Sequence, residues 1–432
     1  MKKILTVFIL FVSIFGLCQK KWSLEDCIEY AKKNNLQIAQ NTISKKIQDK
    51  NLEIAKREYL PVISGNFNNS INFGQAQYLG TNVRNDNFKN TINVGASVLL
   101  YNNRRLEKSV RKAEFEVEAS QYDIISTQNN ISVLIIQQYL TILLNKEKIK
   151  IFQSSFENAQ KIYDRSKITT NAGTTSKTIE YESAAALSRE KQNLKTAEIE
   201  TEKSLFLLSQ LLQMSNYKEL DIEAINLSDN LENNIIEKDI WNITSAQPEL
   251  KAAKSRINSA KLSTSILKTN YYPSITIQLG MNSFYNNLLN TKDKSSFLKQ
   301  YSNNFVQEIG VSANIPIFNK GITKLQIEQS EINENLAKNN LDQQRQNVEQ
   351  KIQKILFDMK SNFEIYSTAK ENEKSAYLAL DFAEKSFKAG LTSIYDVNVA
   401  RNNYINAQSS LLQSKYSFIF SKKLLEFYEN ER

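Results

Sequence analysis

The 432-residue sequence contains no histidine and only 10 glycines, 4 prolines and 2 cysteines. Histidine is the commonest general base and metal ligand near neutral pH, so its absence removes the usual catalytic and metal sites. No nucleophile–base pair, metal-spaced cluster or phosphate-binding glycine loop takes its place. The acids lie on helical faces one turn from lysines. Neither an enzyme nor a resident cofactor or metal is expected. Tight bends draw on glycine and proline, so their scarcity means few turns and long elements. Hydrophobic residues make up 41% of the chain at a mean hydropathy of −0.44, which spreads apolar groups along amphipathic faces. Past residue 20 no apolar run reaches the ~18 residues of a spanning helix. Any passage through a membrane must therefore use strands.

The net charge of +9 has an ordinary source. Lysine and glutamate alternate along stretches such as 146–150 and 370–374, as on solvated coiled-coil faces. Clustered basic residues are lacking, so no nucleic acid partner is expected. Residues 1–18 pair Lys2 and Lys3 with a short apolar stretch. Small residues at Gly16 and Cys18 then flank a cut before Gln19, the pattern of a secretory signal peptide. The alternative is a lipoprotein acylated on Cys18, against which stands Leu17 where a small residue is usual. After cleavage only Cys27 remains, and no intramolecular disulfide can form.

The chain repeats itself. Tyr59-Leu60-Pro61 returns as Tyr271-Tyr272-Pro273, Leu100-Tyr101-Asn102 as Ile317-Phe318-Asn319, and Ala172-Gly173 as Ala389-Gly390. The counterparts keep one order and lie about 215 residues apart, and a fixed offset of this kind marks duplication. The unit is helix, two strands, long helix, glycine turn, helix. The repeats are expected at 19–215 and 247–432, with a connecting segment at 216–246.

Alternation of period two marks the strands, expected at 62–73, 91–100, 274–282 and 308–318. Ile63, Phe67 and Ile71 alternate with Ser or Asn in the first, and Ile275, Ile277, Leu279 and Met281 with Thr, Gln, Gly and Asn in the third. Alternation over about ten residues fits a membrane barrel strand with lipid on one side and lumen on the other. A soluble sandwich shows the same pattern. Here, however, each pair is joined by a long polar segment, 74–90 or 286–304, and no strands remain for a second sheet. Tyr59, Phe73, Tyr101, Tyr271, Phe305 and Phe318 sit at strand ends, as an interfacial aromatic girdle requires. The smallest barrels close with about eight strands. Three copies of the chain would supply twelve.

Helices are expected over 104–166 and 320–388, each roughly 100 Å long at ~1.5 Å per residue. The returning helices at 174–215 and 391–430 are shorter, and 23–57 and 248–270 could stack on their ends. In the last helix Val397, Ala400, Tyr404, Ala407, Leu411, Ser414, Phe418, Ser421, Leu425 and Tyr428 alternate steps of three and four. That spacing is a coiled-coil seam.

Three stretches carry a family resemblance: WSLEDCIEYAKKNN at 22–35, IPIFNKG at 315–321 and KAGLTSIYDVNVARNNYINAQ at 388–408. With the YLP junction and the duplicated order, they resemble the TolC-like outer membrane efflux proteins over nearly the whole chain. The resemblance implies a mainly α fold with membrane β. Long antiparallel coiled-coil helices would form a periplasmic α-barrel, and four strands per protomer would join a homotrimeric twelve-stranded β-barrel in the outer membrane. It implies export of solutes, docking to a periplasmic adaptor of an inner-membrane pump, and contact with outer membrane lipids. Gly173 and Gly390 would form the tip turns that meet the adaptor. Asp396, six residues past Gly390, matches an aperture acid of the family, and three such carboxylates round an axis would favour cations. A member of the family carries a second Asp one turn further on, where this chain has Val399. Around the first turn the matching position is Ile179, with Glu180 and Glu182 beside it. The alternatives are a turn-capping role for Asp396 and, for the whole chain, a periplasmic coiled-coil scaffold without a pore.

Overall fold

The structure, a computed structural model, describes residues 21–78, 80–224, 240–289 and 296–430. The expected signal segment with Cys18 lies outside the described residues, as does 225–239 of the expected connecting segment. In chain order the first half holds β1 (Lys21–Trp22), α1 (Leu24–Asn34), α2 (Leu36–Arg57), β2 (Val62–Asn72), β3 (Gln75–Tyr78), β4 (Thr81–Arg84), β5 (Asn87–Tyr101), α3 (Arg105–Asn171) and α4 (Lys177–Leu211). Then follow β6 (Asp221–Ile222), α5 (Ile240–Ala246), α6 (Pro248–Lys268), β7 (Ser274–Leu288), α7 (Phe297–Asn303), β8 (Val306–Asn314), α8 (Ile322–Lys388) and α9 (Ile394–Asn430). The chain divides into two compact units. One draws on Met1–Ile43, Tyr122–Lys251 and Gln343–Arg432, the other on Ser44–Gln121 and Ala252–Asp342. Each takes matching parts of both sequence repeats.

The long helices form as expected. Free of glycine and proline, α3 and α8 each run 67 residues. The stretch expected as one helix at 23–57 instead breaks at Asn35, whose backbone is extended. Its N–H donates to the Ala31 carbonyl at 2.8 Å. Its side-chain oxygen accepts from the Gln37 N–H at 2.9 Å, and its amide donates to the Leu211 carbonyl at 3.2 Å. One asparagine thus ends α1 and starts α2, a role that suits its short hydrogen-bonding side chain.

In the first unit Cys27, Ala31 and Ile38 bury against Ile131–Leu144 of α3, together with Leu208, Leu212, Leu220 and Ile222. Cys27 is a buried free thiol. Tyr139 is fully buried at the centre, its hydroxyl 3.0 Å from the Trp22 carbonyl and 2.7 Å from that of Glu223. That polar tip ties the two-residue parallel pair β1–β6 to the long helix. Burial pushes its pKa up, so the hydroxyl remains a donor. On α9, Val397, Ala407, Ser414, Phe418, Ser421, Leu425 and Tyr428 are buried and no seam position is exposed, as the heptad spacing requires.

The second unit holds a four-stranded antiparallel sheet in the order β2-β5-β7-β8. Strand β2 ends one residue early, and the other three ranges differ more from expectation. Strands β5 and β7 are longer, at 15 residues each. Strand β8 stops at Asn314, because Pro316 has no N–H to give the ladder, and Ile315 and Ile317 leave it 64% and 94% exposed. The joining segments are also not plain loops. The first folds into the hairpin β3–β4, whose base Asp86 secures by accepting from the Gly74 N–H at 2.9 Å and from Arg84 at 2.9 Å. The second contains α7.

Candidate functional site

The sheet register sorts side chains cleanly, because residues paired across strands point to the same face. One row reads Ile63–Ala96–Leu279–Ile309, and the next on that face reads Val98–Ile277–Val311. Phe67–Ile92 and Val94–Met281 continue it. The opposite face reads Ser64–Gly95–Gly280–Glu308, Val62–Ser97–Gln278–Gly310 and Asn66–Asn93–Asn282–Val306. Four separate sequence alternations therefore combine into one mainly apolar surface and one mainly polar one, with Val62 and Val306 at the margins of the second and Gln307 on the first. Among the described residues the outer strands have no partner on their free sides. All of β2 is exposed, and so is β8 apart from Gly310. An open pair of strand edges on a sheet with an apolar face calls for further strands.

The first unit holds both glycine turns. Gly173 and Gly390 have φ of 76° and 75°, the left-handed region where only glycine carries no steric cost. Each closes the same double hydrogen bond. Gly173 N–H reaches the Thr170 carbonyl at 3.0 Å and Thr174 N–H that of Thr169 at 3.0 Å, while Gly390 and Leu391 reach Phe387 and Ser386 at 3.0 and 2.9 Å. The helices that follow start differently. Ser393 and Asp396 form a reciprocal cap: Asp396 N–H donates to the Ser393 hydroxyl at 3.2 Å, and Asp396 Oδ2 accepts from the Ser393 N–H at 3.1 Å. The same oxygen also accepts from the hydroxyls of Ser393 at 2.6 Å and Thr392 at 2.7 Å. At the first turn Ile179 occupies the matching place, and Ser176 makes no side-chain cap. There the Thr175 hydroxyl meets those of Thr169 at 2.9 Å and Thr170 at 3.2 Å.

Asp396 is thus a capping carboxylate by its contacts. Hydrogen bonds from the Ser393 hydroxyl first, then Thr392, then the Ser393 N–H hold its pKa below the usual aspartate value. All three bonds fall on Oδ2. The residue also lines an open groove of about 810 Å³ with Tyr395, Val399, Asn372 and Asn403. Glu180 is half-buried and Glu182 exposed. A second cavity of about 400 Å³ lies between the two turn-bearing hairpins, lined by Ile162, Thr169, Ile179, Phe387, Ile394 and Val397. Beside it Arg401 bonds Glu384 at 2.6 Å with only 15% of its side chain exposed, joining the two arms of the second hairpin. Ser393 and Arg401 do not stand out by composition. The cap was nonetheless readable, since Ser-x-x-Asp ahead of a helix is a starting signal.

Comparison with known proteins agrees with this geometry. The profile of the outer membrane efflux protein family matches residues 27–212 and 242–423. The chain is 20% identical over 405 residues to the outer membrane efflux protein BepC of Brucella suis biovar 1, covering 93% of this chain and 84% of that one. The fold is similar to that of the Campylobacter jejuni outer membrane channel CmeC, with 19% identity, a TM-score of 0.80 and 94% and 85% of the two chains covered. It is also similar to the Vibrio cholerae outer membrane protein VceC, with 14% identity, a TM-score of 0.80 and 94% and 95% covered.

Proposed function

The chain belongs to the outer membrane efflux protein family, and from that premise we propose that it acts as one protomer of a homotrimeric channel exporting solutes across the outer membrane. The observation that carries the stoichiometry is the sheet: four strands, one continuous apolar face and two open edges. Lipid tolerates no open edge, and three copies joined β2 to β8 make twelve strands. The barrel then spans the outer membrane and the helices reach into the periplasm. A pore-free periplasmic scaffold would have no use for a sheet with an apolar outer face. The work is conduction rather than catalysis, and it needs no cofactor. We read 19–215 and 247–432 as the two repeats and 216–246 as their connection. Detergent-solubilised protein should have a mass three times that of the chain, and cross-linking should end at trimer. A ladder that stops at dimer would refute the assembly.

The turns at Gly173 and Gly390 would be the surface offered to the periplasmic adaptor of an inner-membrane pump. Asp396, just beyond the second turn, would supply an aperture carboxylate while Oδ2 holds the cap. The two uses can be separated. Asp396→Asn keeps an acceptor for the Ser393 N–H but removes the charge, and should lower cation preference and cation block in single-channel recordings without loss of trimer. Ser393→Ala removes the hydroxyl but keeps the charge, and should leave selectivity near that of the wild type. A folded-state pKa below the unfolded one makes the carboxylate's contribution complete above about pH 4. That contribution is lost as pH falls through the depressed value. Cation preference should accordingly persist through mildly acid pH. Equal selectivity in Asp396→Asn and wild type would leave Asp396 as a cap and nothing more.

A further inference from the structure

At the end of the sheet away from the long helices, β7 outruns its neighbour. It pairs with β8 only as far as Asn282–Val306, while its pairing with β5 continues to Asn87–Leu288. Among the described residues, no strand pairs with 283–287 on the β8 side. Helix α7 (Phe297–Asn303) fills the gap with side chains. Gln300 accepts from the Asn286 N–H at 3.0 Å and donates to the Asn286 carbonyl at 3.1 Å, as a paired strand residue would. Asn304, the residue after the helix, donates to the Phe284 carbonyl at 2.9 Å. Both backbone groups of Asn286 and the Phe284 carbonyl are thereby supplied with partners, as an edge near lipid requires.

The helix also has a defined side. The Ser283 hydroxyl donates to the Tyr301 carbonyl at 2.6 Å, and the Tyr285 ring lies 4.9 Å from that of Phe297. Phe297 in turn meets the Tyr301 ring edge-on, with centroids 4.7 Å apart. Ser283 and Tyr285 continue the alternation of Ile277, Leu279 and Met281, so α7 rests on the apolar side of the sheet. It sits where that ladder gives way to Asn69–Asn90–Tyr285. Beyond these contacts Phe297 stays 49% exposed and Leu298 77% exposed, with Lys299 exposed beside them. Two apolar residues, a cation and an aromatic cluster at the end of a lipid-facing band are the composition of a membrane interface.

We propose that α7 is an interfacial anchor, covering the unpaired edge of β7 and inserting Phe297 and Leu298 among the headgroups of the outer leaflet, with Lys299 toward their phosphates. The occupant of this surface is the membrane itself, because the apolar ladder beneath it is continuous with the helix. The proposal rests on the channel reading, in which the apolar face meets lipid. The test adds one tryptophan at a time, Leu298→Trp or, as a control inside the band, Leu279→Trp. Each protein is reconstituted into phosphatidylcholine vesicles whose chains are brominated near the glycerol or near the chain ends. The emission of wild-type protein, from Trp22 and Trp241, is subtracted.

Leu298→Trp should lose most of its added fluorescence to the shallow bromines and little to the deep ones, and Leu279→Trp the reverse. Phe297→Trp, which keeps a ring against Tyr285, is a second shallow probe should Leu298→Trp fail to assemble. Quenching of Leu279→Trp with none at position 298 or 297 would overturn the anchor and leave the channel reading standing. Quenching of the helix probes more by deep than by shallow bromines would also overturn it. No quenching at any position would remove the lipid-facing assignment of the sheet, and the anchor with it.

Discussion

Ile277→Arg should abolish most outer membrane trimer, whereas Gln278→Arg should assemble nearly as well as wild type. The two positions are adjacent in β7 and differ only in the face they occupy. Ile277 lies in register between Val98 and Val311, Gln278 between Ser97 and Gly310. An arginine facing lipid near the bilayer midplane costs ~2–4 kcal/mol, and a trimer carries it three times. An arginine at 278 faces the lumen, where water is present. Its cross-strand neighbours, Ser97 and Gly310, are small and do not crowd a longer side chain. The readout is the amount of heat-resistant trimer in outer membrane fractions. Equal loss in both variants would mean that the faces are wrongly assigned or that the sheet is not in lipid.

That contrast can be posed from the alternation alone, and this shows how much of the fold was legible. Period two in four stretches gave the faces, because burial of one side of a strand leaves a mark at every second residue. The order of strands and their register were not in the pattern. They depend on pairings between repeats such as Val98–Ile277, which no local signal encodes. Strand ends depart from the alternation for local reasons. Alternation ran on past Asn314 into Ile315 and Ile317, although Pro316 ends the ladder. It faded before β7 does, because Ser283 and Asn287 take the apolar side where α7 and the outer rim begin. Asn35 hid a helix break inside an amphipathic stretch. The glycine turns were the most legible feature, since a chain with 10 glycines places them where backbone conformation demands. The cap on Asp396 is equally local, since Ser393 stands three residues before it.

With the turns as the proposed docking surface, Gly390→Val should uncouple the channel from an adaptor and pump while leaving the trimer intact, and Gly390→Asn should do far less. The backbone at Gly390 has φ 75°, where a β-branched residue is strained by about 1–3 kcal/mol. Asparagine visits the same region with a smaller penalty. Space does not confuse the comparison, because no atom lies within 4 Å of a Cβ built there. The cost is thus one of backbone conformation. The valine chain can relieve it by giving up the left-handed turn, and with it the Gly390–Phe387 and Leu391–Ser386 hydrogen bonds. That shift displaces Thr392 and Ser393, and so the cap that begins α9. The sheet strands lie in the other compact unit and contain none of these residues, so trimer yield should be unchanged. Efflux in cells and cross-linking to the adaptor should both fall in Gly390→Val and be largely retained in Gly390→Asn. Gly173→Val should act in the same direction, since its turn has the same φ and the same pair of bonds. If valine at both turns left efflux and adaptor cross-linking at wild-type levels, the turns would not be the docking surface, although the barrel would stand. Loss of trimer in Gly390→Val would point instead to a role for the turn in assembly.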